Sequence, residues 1–178
     1  MIVIGIDIGL TGAVAAVDSR GTASVRDLPL IADGKPRKVT RAGKATTMQP
    51  MRLDGRGLLL LIREFVPIGE AALIVFEDVR ARPGGNGDEH GNTMHSQGSM
   101  MRSRGIVEGV ADITRLEVRV VQPQTWKRHF GLIGKPKAAS AETARGLFPL
   151  LAAELKRVKD HNRAESLLLA KWGQGVLA

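Results

Sequence analysis

Residues 4–17 read IGIDIGLTGAVAAV, and the position of one acid in this stretch organises the reading of the whole chain. Isoleucines at 2, 4, 6 and 8 alternate with Val3, Gly5, Asp7 and Gly9, a period of two that predicts a strand with one face packed by isoleucine. The other face carries a carboxylate between two glycines. Missing side chains at Gly5 and Gly9 leave room for something bulky to approach Asp7. The turns GLTG (9–12) and DSRG (18–21) predict further strands over 12–18 and 22–28, so the chain opens as an antiparallel meander.

The next apolar run, AALIVFEDV (71–79), is nearly continuous and predicts a strand covered on both faces, the pattern of parallel neighbours. It ends in Glu77. If this strand pairs in parallel with the first, Glu77 and Asp7 emerge side by side at one sheet edge. Between the two strands, LDGRGLLLLIREF (53–65) predicts a helix capped by Asp54. The segment from Asp33 to Arg52 carries Lys35, Arg37, Lys38, Arg41 and Lys44 with no acid between Lys35 and Arg52; it has no apolar period and is expected to be a mobile basic loop. A Gly-rich polar stretch, 80–92, is expected to be a loop leading into a long helix over 93–115. Glycines 98, 105 and 109 in that helix each cost roughly 1 kcal/mol relative to alanine, which predicts close packing against another backbone. A fifth strand is expected over 116–122, stopped by Pro123. After it come a short helix (124–132), a basic turn (133–137), a helical stretch over 138–156 with Pro149 inside it and a final amphipathic helix from His161. The order βββ-α-β-α-β-α-α predicts an α/β fold with a five-stranded mixed sheet, antiparallel meander plus parallel strands, flanked by helices, with the first strand central.

The final helix supplies a third acid. Leu168, Leu169 and Trp172 follow Glu165 at three, four and seven residues, which places the glutamate on the apolar face, shared by His161 four residues earlier. Asp160 sits at the helix entrance, where it can also serve as an N-cap. Each acid alone fits a structural role: Asp7 in a turn network, Glu77 as a solvated strand end, Glu165 paired with Arg163 or Lys171. Together, two acids on buried strands and one on a buried helix face point to a divalent cation, since hard oxygen ligands suit Mg²⁺ or Mn²⁺.

Composition narrows the chemistry. The 178 residues suit one domain with a proper core. The absence of cysteine excludes disulfides, thiol catalysis and thiolate metal sites. With no apolar run long enough to span a membrane and no leader pattern, the chain is expected to be cytosolic. A net charge of +8 predicts a polyanionic partner, nucleic acid above all. Aromatics make up only 3% of residues, which disfavours a stacking platform and leaves phosphate contacts dominant.

In GIDIGLTGAVAAV (5–17), LIVFEDV (73–79), SQGSMMRSRGIVEGVA (96–111), the segment 120–149 and DHNRAESLLLAKW (160–172), the chain resembles the RuvC-type Holliday junction resolvases of the RNase H-like superfamily, particularly compact phage members. The resemblance implies an RNase H-like fold and a homodimer that cuts branched DNA. It also implies an active site of Asp7, Glu77 and Glu165 with two Mg²⁺ or Mn²⁺ ions about 4 Å apart, bridged by Asp7. For the fourth ligand, bacterial members carry an acid where this chain has Asn162; His161 and Asp160 are the alternatives. Arg80 stands where bacterial members carry a wedge aromatic. Lys35, Arg37, Lys38, Arg41, Lys44, Arg80, Arg82, Lys127, Arg128, Lys135 and Lys137, together with His129, are the expected DNA contacts, and the 93–115 helix is the candidate dimer interface. Actin-like and sugar-kinase ATPases begin with a similar first motif but need a second such domain. Two other readings stay open: a broader debranching nuclease acting on flaps and Y-junctions, and a non-cleaving DNA-structure binder.

Overall fold

A computed structural model describes residues 1–41, 43–80 and 94–177, of which the side chain of Arg41 is left out. In chain order the elements are β1 (Ile2–Ile6), β2 (Ala13–Val17), β3 (Ala23–Asp27), β4 (Leu30–Ala32), β5 (Arg37–Arg41), β6 (Lys44–Met48), β7 (Met51–Leu53), α1 (Gly55–Phe65), β8 (Ala72–Glu77), α2 (Met94–Thr114), β9 (Glu117–Val121), α3 (Pro123–His129), α4 (Ala138–Leu147) and α5 (His161–Leu177). Short 3₁₀ helices at Pro149–Leu155 and Val158–Asp160 join α4 to α5.

The main sheet has the order β3-β2-β1-β8-β9. Strand β1 is antiparallel to β2 and parallel to β8, and β8 is parallel to β9. The expected mixed sheet with a central first strand is what the chain forms. Alternation along β1 then sorts the core into two layers. Ile4, Ile6 and Ile8 join Leu58 and Ile62 of α1 and Val107, Val110 and Ala111 of α2 on one face. On the other, Val3, Leu73 and Val75 pack with Trp126 of α3, Ala141 and Ala144 of α4 and Leu167–Ala170 of α5. Asp54 caps α1 as expected, accepting from the Arg56 N–H at 3.0 Å.

At Gly5 the room beside Asp7 is filled by protein backbone. A Cβ built there would lie 2.0 Å from the Ser166 carbonyl oxygen and 2.5 Å from the Ala170 nitrogen. Helix α5 therefore crosses β1 at contact distance. At the far end of the crossing, Gly173 lies equally close to Val3 and Val75. The N-terminal turn of α5, with Glu165, is thereby brought to the C-terminal end of β1, where Asp7 emerges.

Three expectations are corrected. Residues 33–52 are structured: β5 and β6 pair as a hairpin separate from the main sheet, and β4 pairs with β7 at its base. The physical reason lies in the β-branched Val39, Thr40, Thr46 and Thr47, with Gly43 at φ 76° in the reversal; the density of positive charge obscures this strand signal in the sequence. The glycines of α2 are not contacts: a Cβ at Gly98, Gly105 or Gly109 would meet nothing within 4 Å. The stretch after α4 does not continue through Pro149, which instead begins a 3₁₀ helix, because proline has no N–H to donate and its ring clashes with the preceding turn.

These contacts set opposite outcomes for two glycine substitutions. Gly5→Ala forces α5 away from β1 and is expected to destabilise the fold by about 3 kcal/mol or more. Gly98→Ala, which adds a methyl to open space on a helix, is expected to stabilise it by roughly 0.5–1 kcal/mol. Urea unfolding of both variants against wild type measures the pair.

Candidate active site

The parallel register Ile6↔Phe76 places Asp7 and Glu77 at the next step of neighbouring strands, both on the α5 side of the sheet. Asp7 closes a small turn of its own: its Oδ1 accepts the Gly9 N–H at 3.3 Å. Gly12 keeps that turn tight, since a Cβ there would meet the Asp7 carbonyl oxygen at 1.9 Å. Asn162, at the start of α5, donates its amide to the Thr11 carbonyl at 2.5 Å and to the Thr11 hydroxyl at 3.0 Å. The Asn162 amide thus ties the turn after β1 to the helix that carries Glu165, a tethering role that explains an amide in place of an acid.

Burial pushes the Asp7 carboxyl up to about 6; the Gly9 N–H opposes the rise, Glu165 and Glu77 add to it by repulsion, and His161 counters it. Those interactions place Asp7, Glu77, Glu165 and His161 in one electrostatic neighbourhood. Glu77 is likewise raised, first by burial, against the hydrogen bond it accepts from Trp126 and the charge of Lys127, with Glu165 repelling it. Trp126 Nε1 donates to Glu77 Oε1 at 2.8 Å. The Ser140 hydroxyl reaches Glu165 Oε1 at 3.4 Å, and Lys127 Nζ stands 4.0 Å from Glu77 Oε1 and 3.9 Å from Glu165 Oε1.

The two candidates for a fourth group separate here. Asp160 is buried, but its carboxylate accepts from the Arg157 N–H at 2.7 Å and pairs with the Arg157 guanidinium at 2.9 Å. Burial raises its carboxyl and those Arg157 contacts outweigh it, holding it below the ordinary range. It caps the 3₁₀ turn before α5, not α5 itself, and it is not among the groups that shift Asp7. Asp160 is therefore withdrawn from the site. His161 Nδ1 lies 2.9 Å from the Val158 carbonyl oxygen. A carbonyl can only accept, so Nδ1 carries the hydrogen and Nε2 is the ring nitrogen a metal would take.

Three carboxylates are the donor type a hard divalent ion takes, with the imidazole of His161 beside them; burial raises the Asp7 carboxyl first, and the repulsion of Glu165 and Glu77, which a bound cation would relieve, adds to it. The set is not drawn into a coordination shell: among the described residues no three such side chains are close enough to hold an ion as they stand. Glu77 and Glu165 are instead disposed around the ammonium of Lys127.

The expected DNA contacts divide by position. Lys127, Lys135 and Lys137 line a cleft of about 320 Å³ that opens beside Glu165. Arg37 and Lys38 of β5 and Lys44 of β6 lie on the hairpin, and Lys35 just before it. Arg52 is partly neutralised by Asp33, which also binds Arg102 at 2.6 Å. Arg80 pairs with Asp78 at 2.7 Å directly beyond Glu77, and Arg128 is exposed on α3. His129 packs edge-on to Phe130 in a groove shared with Met1 and Lys171, apart from the basic cleft. Arg82 and the side chain of Arg41 lie outside the described residues. Trp126 and Ser140, which hold the two glutamates, went unnoticed in the sequence. The sequence signal for Trp126 is a tryptophan in a chain with so few aromatics, five residues past the end of β9.

No protein-family profile matches the chain. Its sequence is 32% identical over 166 residues to the chloroplastic Holliday junction resolvase MOC1 of Chlamydomonas reinhardtii, an alignment covering 89% of this chain and 18% of that protein. Among solved structures, RuvC of T. thermophilus in complex with a Holliday junction substrate superposes with a TM-score of 0.56 over 96% of this chain and 90% of that one, at 15% identity. The fold is that of RuvC. The Holliday junction resolvase of fowlpox virus shares this RNase H-like, RuvC-type architecture, with a TM-score of 0.52 at 14% identity and full coverage of both chains. Within that fold, Asp7 and Glu77 stand at the ends of neighbouring central strands and Glu165 on the helix that crosses them. No helix among the described residues is long and apolar enough to cross a membrane.

The raised Asp7 carboxyl has a signed consequence for the metal-free protein. Between the ordinary value of 3.8 and about 6 the folded state keeps a proton that the unfolded state has lost, so stability falls as pH rises through this window, by at most roughly 3 kcal/mol. Asp7→Asn removes the effect. The variant is expected to unfold at higher urea than wild type at pH 8 without divalent ions, with the gap closing towards pH 4; urea titrations at both pH values measure it.

Proposed function

We propose that residues 1–178 form a nuclease domain that resolves four-way DNA junctions by metal-assisted phosphodiester hydrolysis, acting in the cytoplasm of a bacterial or phage-infected cell. The observation that carries this reading is the convergence of Asp7, Glu77 and Glu165 at the end of the central strands of a RuvC fold, Asp7 and Glu77 on adjacent strands and Glu77 and Glu165 both within 4.0 Å of one ammonium. The sequence relationship to a Holliday junction resolvase and the net charge of +8 support the same substrate class.

Asp7, Glu77, Glu165 and His161 would hold two divalent ions, Mg²⁺ or Mn²⁺, which supply an activated water and stabilise the leaving 3′ oxygen, giving 5′-phosphate ends. The chain's own residues prepare that site. Trp126 fixes one oxygen of Glu77, Ser140 one oxygen of Glu165, and the Val158 carbonyl fixes the ring of His161. Lys135 and Lys137, on the cleft beside Glu165, attract the phosphate backbone, as do Arg80 and Arg128; the basic hairpin with Lys35, Arg37, Lys38 and Lys44 offers a second cationic surface. Such contacts set position without reading sequence, so branch shape is selected by the spacing of cationic surfaces.

A four-way junction presents paired scissile strands, which an isologous homodimer matches with two equivalent sites. Helix α2 is the face we assign to that contact: Met94 and Met101 are exposed on it, and Gly105 and Gly109 leave its backbone open to close approach.

Incubation with labelled four-way junction, Y-junction, flap and linear duplex, with and without Mg²⁺, tests the reading. Symmetric Mg²⁺-dependent nicks in the four-way junction are expected, with the duplex left intact. Equal cutting of flaps and Y-junctions would instead indicate a general debranching enzyme. Asp7→Asn is expected to bind the junction as wild type does while nicking at least about 100-fold more slowly; nicking at the wild-type rate would overturn the assignment.

A further inference from the structure

Lys127 lies where the acidic pocket calls for a cation. Its Nζ stands 4.0 Å from Glu77 Oε1 and 3.9 Å from Glu165 Oε1, so a single ammonium faces both glutamates. These separations are too long for well-formed hydrogen bonds, and the contact is one of charge. The side chain is only 32% exposed, and its ammonium lies 5.2 Å from the ring centre of Trp126, the residue whose Nε1 holds the same Glu77 oxygen. Lys135 and Lys137 line the adjoining cleft, yet neither is in ion-pair range of Glu77 or Glu165. The pocket has thus drawn in one particular lysine from α3 and left the others at its rim.

We propose that Lys127 is a resident counter-cation: in the metal-free protein its ammonium stands between Glu77 and Glu165, and a divalent ion binds by displacing it. The inference rests on the metal-site reading of Asp7, Glu77 and Glu165. Two carboxylates packed against a sheet repel one another, and a tethered positive charge offsets that repulsion whenever no ion is present. Lysine suits the task because its charge is compact and rides on a four-carbon stem, so it swings aside by side-chain rotation without moving α3. The same arrangement accounts for the glutamates being spread around an ammonium and not gathered into a coordination shell. Competition with Lys127 lowers the affinity of the DNA-free protein for divalent ions.

Calorimetric titration of Mn²⁺ into the full chain without DNA, together with thermal melts, tests this on wild type, Lys127→Met, Lys127→Arg and Lys135→Met. Lys127→Met is expected to bind Mn²⁺ about tenfold more tightly than wild type. Lys127→Arg, which keeps the charge, is expected to stay near the wild-type affinity, and Lys135→Met to tighten it by less than about threefold. Without metal, Lys127→Met is expected to melt below Lys127→Arg and to gain more in Tm than wild type on saturation with Mn²⁺. Lys127→Gln serves as the neutral variant if the methionine variant does not fold. Affinity in the neutral variant equal to or weaker than wild type overturns the inference, as does an equal gain in Lys135→Met, which would make the effect one of bulk charge. If wild type binds Mn²⁺ and the neutral variant does not bind it more tightly, the inference alone fails. If neither binds Mn²⁺, the metal-site reading fails and takes the inference with it.

Discussion

The structure depends on a contact between two backbones. At Gly5 the only atom on the inner face of β1 is a hydrogen, and the main chain of α5 lies directly on it, with Ser166 and Ala170 at distances no larger residue would permit. At the other end of the crossing the glycine is on the helix: Gly173 sits against the side chains of Val3 and Val75, where a Cβ would clash. A helix seated this low on a sheet has its direction and depth set by sterics before any polar contact forms. Glu165, one residue ahead of Ser166, is then carried to the end of β1 beside Asp7. The acidic pocket is a by-product of how closely a helix can approach a strand. Hydrophobic burial on both faces of the sheet, from Ile4 and Ile6 on one side to Leu167 and Leu168 on the other, keeps that approach in place.

Holding like charges together is unfavourable, and the molecule opposes the repulsion locally. The Gly9 N–H serves Asp7, the indole of Trp126 serves Glu77 and the hydroxyl of Ser140 serves Glu165. Each is a neutral donor supplied by a different element: the turn after β1, α3 and α4. None of them removes the net negative charge, which adds to the effect of burial in holding the Asp7 carboxyl above its ordinary value and gives the nearby lysine its importance. Asp160 shows the opposite solution a few residues away. There an arginine pairs with the acid and its backbone N–H donates to it, and the carboxyl falls below the ordinary range, burial notwithstanding. The two aspartates therefore shift in opposite senses: Asp160 has a guanidinium partner, whereas Asp7 has one backbone N–H against burial and two acids.

Much of this was legible in the residues. The alternating isoleucines of β1, the doubly covered β8 ending in Glu77 and the apolar face of α5 all follow from period and polarity, and they determine the sheet order. Three acids could be brought to one place because each sits at an element end whose neighbours were readable. The rest depended on information a single sequence holds only weakly. Two strands in 37–48 were hidden because lysine and arginine dominate the segment while the structural signal is carried by four β-branched residues. The choice between Asp160 and His161 turned on the partners of each side chain, Arg157 for one and the Val158 carbonyl for the other. Glycines in α2 could signal either backbone contact or open space, and residue type alone does not distinguish the two; here they are open.

The hairpin of β5 and β6 forms a sheet of its own, hydrogen-bonded to no strand of the main one. A lone two-stranded ribbon is marginal in water, and this one buries none of its described residues. It follows that the ribbon opens and closes without disturbing the interior, exchanging its amide hydrogens by local fraying while the central strands exchange only through global unfolding. It is an appendage whose length could change over evolutionary time at little thermodynamic expense to the sheet and helices beneath it.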